Sequence, residues 1–284
     1  MFFPRPLLKL LTLFLLTLGS LIANECTEVY GQGTTKLSLA TGSPGELGLL
    51  RVIAERFAHD NDAQICWIKA GSGKTLSLLK EKKIDIAMVH APRAEKEAIA
   101  QGWAEGRILL GSNEFYIVGP ANDPAKIKTS QSAPEAYARI AAKEALFYSR
   151  GDNSGTHQKE LAIWKLTGVT PEGKWYEINK DFMLATLKKA DKTGAYFMTD
   201  SSTWVVAKKE LKNLKILFRG DKMLINTYVA LKQPGSENIK KQKSQKFIDF
   251  LASPQGQKLI EAYGVNEYGE SLYNGAAYAK KYFD

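Results

Sequence analysis

The chain has 284 residues, is 44% hydrophobic and 24% charged, and carries a formal net charge of +9. That is the ordinary globular range, with length enough for one large domain or two lobes. Two cysteines are too few for a disulfide scaffold, and three isolated histidines with no C-x-x-C leave no recognisable metal motif.

In chain order, the first segment reads as a targeting signal. Arg5 and Lys9 precede the apolar run Leu10 to Leu18 and a small-residue region ending at Ala23, which predicts a cleaved secretory signal peptide over 1–23. The run is short for a membrane span. The expected location is therefore periplasmic, and loss of Arg5 and Lys9 lowers the formal charge from +9 to +7. The lysines that remain are scattered (188–189, 208–209, 240–241) and not interleaved with aromatics. This speaks against nucleic acid and leaves mild steering of anions. For Cys26 and Cys66, a bridge and two separate thiols are both open.

Strand and helix signals then alternate. A strand at 37–40 is followed by Leu47, Leu50, Ile53, Ala54 and Phe57 at helical spacing, then strand 64–69, helix 73–82, strand 84–89 and helix 94–101. Two short strands, around 107–110 and over 115–118, end at the breaker Gly119-Pro120. A second block runs helix 132–142, strand 145–148, helices 155–167 and 181–191, and strands 194–198 and 214–217. Strand 227–231 and helices 243–252 and 254–262 close the chain. This alternation predicts mostly parallel sheets flanked by helices. Breakers near 119–122 and 220–226 predict two hinge crossings: lobe one from 24–120 plus 224–284, lobe two from 121–223, and a ligand cleft between them.

Gly71-Ser72-Gly73-Lys74-Thr75 looks like a nucleotide phosphate loop, but Ile68 stands where the leading Gly belongs, and the apolar run 86–89 ends in His90, not Asp. An anion-binding helix start survives that exclusion. Three starts share the chemistry: Thr41-Gly42-Ser43, Gly71-Ser72-Gly73, and the stretch Ser149 to Thr156. Each sets hydroxyls and Gly-flanked N–H groups at the carboxyl end of a strand, where open α/β sheets bind ligands. The candidate ligand-binding residues are Thr41, Gly42, Ser43, Ser72, Arg150, Ser154, Gly155 and Thr156. Asp152 would orient Arg150 as a bidentate donor to an oxyanion. Capping alone accounts for any one of these serines, and Ser43-Pro44-Gly45-Glu46 fits a capping box. The ligand case rests on three such ends together with Arg150 and Asp152.

The stretch Arg150 to Thr156 resembles the R-x-D-x-S-G-T anion loop of periplasmic phosphate-binding proteins. The longer "FYSRGDNSGTHQKE", Phe147 to Glu160, is more similar to the tungstate-binding subunits of ABC importers (TupA-type). "LATGS", "VHAP" (Val89 to Pro92), "VGPANDPAKI" (Val118 to Ile127), "YFMTD" (Tyr196 to Asp200) and "GDKMLINTYVAL" (Gly220 to Leu231) continue that resemblance in order. It implies a two-lobed type II periplasmic binding protein, α/β in each lobe, that hands tungstate or molybdate to the membrane permease of an ABC importer. It further implies a monomer without cofactor, bound metal ion or enzymatic activity. Two departures stand out. The turn at Gly42 is one residue shorter than the family's Thr-Thr-Thr-Ser, and Ser201-Ser202 replaces Arg-Gly, which marks Ser201 as a position where binding strength or selectivity would differ.

Phosphate-binding relatives carry a carboxylate just before the Ala-Pro step, which accepts the proton that phosphate retains. Here His90 precedes Ala91-Pro92. The expected ligand is therefore a fully deprotonated dianion, even if His90 itself only packs at the strand end. The rivals are a phosphate or sulfate binder of the same fold, an extracytoplasmic sensor, and a hydrolase using Ser154 and His157. The last lacks G-x-S-x-G and places its His within the cap turn.

Overall fold

The computed structural model describes residues 25–283 apart from Ser236. The predicted signal peptide lies outside the described residues. β1 (Glu28–Tyr30) and β2 (Thr35–Thr41) lead into a one-turn helix α1 (Ser43–Glu46) and then α2 (Leu49–Asn61). β3 (Ala63–Lys69), α3 (Ser72–Lys80), β4 (Ile86–Val89) and α4 (Pro92–Ala100) continue the alternation to β5 (Glu105–Pro120). The middle block comprises α5 (Ala133–Ala142), β6 (Phe147–Ser149), α6 (Gly155–Thr167), β7 (Tyr176–Ile178), α7 (Met183–Thr193), β8 (Tyr196–Asp200), α8 (Ser201–Ala207) and β9 (Leu214–Phe218). β10 (Ile225–Lys232) returns, followed by α9 (Ile239–Ala252), α10 (Pro254–Ala262), α11 (Val265–Tyr268), β11 (Asn274–Gly275) and α12 (Ala276–Ala279).

The strands run in the order β1-β3-β2-β4-β10-β5-β8-β6-β7, with β9 and β11 paired to β5. Within each lobe the strands joined by crossover helices pair parallel: β2 with β3 and β4, and β6 with β7 and β8. The strands that pass between lobes pair antiparallel. The two short strands expected at 107–110 and 115–118 are one continuous strand, β5. Its first half pairs with β10 as far as Glu114, and its second half pairs with β8 from Phe115 onward. The polar stretch Gly111 to Glu114 reads as a break in sequence. In the fold it is the crossing itself, its peptide groups held by β10 and its Asn113 side chain by a buried polar network. The partner change thus precedes the Gly119-Pro120 breaker, whereas the return at Ile225 falls within the predicted 220–226.

The period-two alternation of strand side chains explains how one sheet serves two cores. In β2 and β4, Leu37, Leu39, Ile86 and Met88 face a cluster with Leu50, Ile53 and Phe57 of α2 and Phe247 and Ile248 of α9. Ala40, Ala87 and Val89 face the opposite cluster, with Leu76 and Leu79 of α3 and Ala98 of α4. Lobe two is built around aromatics. Trp164 stacks against Tyr137 at 4.5 Å and Phe147 at 5.4 Å, ring centroid to centroid. Such contacts add about 0.5–1.5 kcal/mol each beyond area burial. Cys26 and Cys66 form a disulfide (Cα–Cα 5.3 Å) that ties the start of the chain to β3, the pairing that sequence left open. Among the described residues no helix is long and apolar enough to cross a membrane.

Candidate functional site

The carboxyl ends of β2, β3, β4, β6 and β8 open toward one place, and the residues following them build the site. On the lobe-one side Thr41 ends β2. It is 1% exposed, and its Oγ1 is buried without a hydrogen-bond partner. Its carbonyl accepts hydrogen bonds from Trp67 Nε1 (3.1 Å) and from the Ala70 N–H (3.2 Å), which fixes this strand end against the entry to α3. Gly42 is the N-cap of α1, with no side-chain cap. Ser43 is the first helical residue, and its hydroxyl donates to Asp200 Oδ2 at 3.3 Å. The expected Ser43–Glu46 capping box is not formed: Glu46 accepts a 2.7 Å contact from Lys69 instead. Nor does Ser72 cap α3, whose N-cap is Gly71. Ser72 Oγ accepts the His90 N–H at 3.1 Å, leaving its own proton available to a ligand.

On the lobe-two side, β6 delivers Ser149 and Arg150. The Arg150 guanidinium is nearly buried and donates from Nη2 to Asp152 Oδ2 at 2.5 Å, while its Nε is buried without a partner. Burial opposes the Asp152 charge, but the Arg150 charge and the Ser154 hydrogen bonds outweigh it and hold the carboxylate below its ordinary range. Asp152 Oδ1 also accepts the Ser154 N–H at 3.0 Å. Ser154 is a true side-chain cap of α6, accepting the His157 N–H at 3.3 Å. Gly155 and the buried Thr156 form the first turn of that helix.

The two sides are in contact. A Cβ on Gly73 would fall 2.4 Å from the Asn153 carbonyl oxygen, and one on Gly155 would fall 2.5 Å from His90 atoms. Only glycine permits this approach of backbone to backbone. His90 packs on Tyr228 (centroids 5.0 Å) and bonds through Nδ1 to Asn226 Oδ1 at 2.9 Å. Burial pulls its pKa down to about 4, against the opposing Asn226 hydrogen bond, so the ring is neutral. From Asn226 the network runs to Asn113 (2.7 Å), and from Asn113 to Asp200 (3.3 Å) and Ser202 (2.8 Å). Burial pushes the Asp200 carboxyl up, although donors from Thr203 and Ser43 and the Arg150 charge oppose it. Its Oδ1 accepts from Asn113 and the Thr203 N–H, and its Oδ2 from Ser43 and the Thr203 hydroxyl. All of its roughly four lone-pair positions are therefore occupied.

The structure thus brings together Thr41, Ser43, Ser72, Arg150, Asp152, Ser154 and Gly155, joined through Ala70, Gly71 and Gly73. Ser201 lies at the crossing, where its hydroxyl accepts the Glu114 N–H at 3.3 Å. Asn113, Asn226 and Asp200 are absent from the predicted set. Their sequence signal was a polar residue set inside an otherwise apolar strand. Of six buried side-chain polar atoms without a partner among the described residues, Thr41 Oγ1 and Arg150 Nε lie at these strand ends. Buried unpaired groups are costly, which makes them the natural contacts of something that fills the site. The Ser154–His157 pair is not a nucleophile and base, because the His157 ring accepts the Asn153 N–H at 3.0 Å. Among the described residues no cluster of three or more His, Cys, Asp or Glu could hold a metal ion.

Comparison with known proteins identifies the family. Residues 28–255 match the family model described as a PBP superfamily domain. The chain is 34% identical over 255 residues to the tungstate-binding protein TupA of Peptoclostridium acidaminophilum, covering 88% of each chain. It superposes on the tungstate ABC transporter structure from Geobacter sulfurreducens with a TM-score of 0.72 at 35% identity, covering 82% of this chain and 100% of that one. The TupA structure from Desulfovibrio alaskensis G20 gives 0.70 at 36% identity, with 85% and 98% covered. The chain, a two-lobed type II periplasmic binding fold with a polar cleft at its strand ends, belongs to the PBP superfamily and, within it, to the TupA family of tungstate-binding proteins.

Proposed function

We propose that this protein is an extracytoplasmic solute-binding protein that captures a tetrahedral oxyanion dianion and delivers it to an ABC permease. Tungstate is the preferred ligand and molybdate a close second. The chain is exported by its N-terminal signal, acts as a periplasmic monomer, and catalyses no reaction. Closure about the crossings in β5 (Gly111 to Glu114) and at the start of β10 (Ile225) brings the donors together. Thr41, Ser72, Ser154 and Thr156 hydroxyls and the N–H groups of Gly42, Ser43 and Gly155 replace the anion's water shell. Arg150, held by Asp152, supplies charge in a site from which water is excluded.

One observation carries the choice of anion: buried donors stand unpaired, while both nearby carboxylates, Asp152 and Asp200, are already engaged by protein donors and a neutral His90 stands at the strand end. Thr41 Oγ1 and Arg150 Nε are unpaired donors, His90 is a neutral ring already engaged with Asn226, and the Asp200 oxygens are filled. A protonated phosphate needs an acceptor for its hydrogen; a fully deprotonated dianion needs none. Sulfate, with shorter bonds than tungstate, would leave buried donors stretched at about 1–3 kcal/mol each. Titration calorimetry of the mature chain against tungstate, molybdate, sulfate and phosphate tests the reading. Tight one-to-one binding of tungstate with phosphate silent is expected, and tight phosphate binding sinks it.

A further inference from the structure

The stretch Phe147 to Glu160, which carries the resemblance of the anion loop, closes on Glu160, a residue the binding geometry above does not use. Glu160 lies on α6, the helix whose first turn forms the site. It stands five residues beyond Gly155, a rise of about 7–8 Å. Helical side chains lean toward the N-terminus, so its carboxyl points back under the anion loop. There it is 2% exposed and accepts hydrogen bonds from Tyr176 Oη (2.6 Å) and Trp164 Nε1 (3.3 Å). The Arg150 peptide N–H also faces it. Arg150 thus has one end on each side: its guanidinium serves the cleft, and its peptide serves a buried carboxylate. A negative charge one layer beneath a site built for a dianion opposes the ligand.

We propose that Glu160 couples oxyanion capture to proton uptake: the carboxyl beneath the anion loop is substantially charged in the ligand-free protein and becomes protonated when a dianion binds above it. The proposal rests on the oxyanion-binding reading of the same site. The proton comes from solvent and neutralises the carboxylate, with no other bond made or broken. Its surroundings suit the role, since the partners named are neutral donors and not a fixed cation. Burial pushes the Glu160 pKa up to about 7, with the Tyr176, Ser149, Trp164 and Arg150 groups pulling the other way. At neutral pH both protonation states are therefore populated.

The other groups around it are shifted away from that window. Tyr137 of α5 and Tyr176 of β7 are pushed upward by burial, and the Glu160 charge adds to the shift. Asp152 is held down, and His157, one turn earlier on α6, is lowered by burial. Lys159, next to Glu160, has its own interactions. A nearby dianion can only raise the Glu160 pKa. Linkage then requires affinity to fall as pH rises through about 7.

The test is titration calorimetry of tungstate into the mature chain at pH 7, in two buffers of different ionisation enthalpy, with a pH series from 6 to 8. The wild-type chain is expected to take up about 0.3–0.5 proton per anion and to bind about tenfold more weakly at pH 8 than at pH 6. Glu160→Gln is expected to take up none and to lose the pH dependence. Tyr176→Phe removes a donor to the charged carboxylate and should shift the midpoint to higher pH. It also serves if Glu160→Gln does not fold. Equal proton uptake in wild type and Glu160→Gln, no uptake in either, or an unmoved midpoint in Tyr176→Phe overturns the coupling while leaving oxyanion binding intact. Failure of the wild type to bind tungstate at any pH overturns both.

Discussion

On the lobe-one side of the cleft, Thr41, Ser72 and the starts of α1 and α3 offer neutral donors at the ends of strands packed between two hydrophobic clusters. The lobe-two side offers an ion pair, Arg150–Asp152, at the start of a capped 13-residue helix over an aromatic core. The division matters because a full charge attracts any anion with little regard for shape, whereas hydroxyls and N–H groups must meet oxygens at defined distances. In the proposed function lobe two accordingly supplies most of the attraction, and lobe one, arriving on closure, tests geometry.

The largest effect that breaks this comparison is Arg150→Ala. It removes the one charged donor and leaves Asp152 facing the anion. Tungstate affinity should fall at least a hundredfold, about 3 kcal/mol or more, as for truncation of any buried charge pair. Arg150→Lys, measured by the same calorimetry, should recover part of that loss. The next effect concerns stability. The Cys26–Cys66 bridge closes a separation of 40 residues in lobe one, and reducing it should cost about 3 kcal/mol of unfolding free energy, followed by denaturant titration. The refolded or still-folded reduced protein should bind tungstate with unchanged stoichiometry, because the bridge lies away from the cleft.

Thr41→Val sharpens the comparison with a change of sign. Its Oγ1 is an unpaired buried atom in the ligand-free protein. The substitution should leave the melting temperature of that form unchanged or raised. It should weaken tungstate binding by about 1 kcal/mol, roughly fivefold. A separate effect, seen only on acidification, is the pH dependence of stability contributed by His90. Its folded pKa, about 4, lies below the ordinary 6.5 because burial disfavours the charged ring. The unfolded chain therefore binds a proton that the folded chain refuses. The stability is present above pH 6.5 and is lost as pH falls toward 4. Melting temperatures over that range should fall less steeply in His90→Asn.

The same contrast explains what could be read from sequence. The anion loop of lobe two was legible residue by residue, because cap, ion pair and helix start lie within Arg150 to Thr156 and interact locally. In lobe one the Thr41 and Ser72 positions were legible, but the capping box at Ser43 to Glu46 was not what formed, since Lys69 and Asp200, distant in sequence, claim those side chains. The α/β alternation and most helices follow from periodicity. The continuous β5 did not, because Asn113 is a buried polar residue satisfied through β8, β10 and α8, which no local pattern announces. β1 and β7 are three-residue strands held by their neighbours' ladders, too short to carry a period of their own.

The account stands most directly on where the anion sits. An anomalous difference map at the tungsten absorption edge, from a crystal of the mature chain grown with tungstate, locates the metal without interpretation. The account predicts a single peak between the two lobes, with its oxygens within hydrogen-bond distance of Thr41 Oγ1, Ser72 Oγ and Arg150 Nε. A peak elsewhere, or one contacted from lobe two alone, would contradict it.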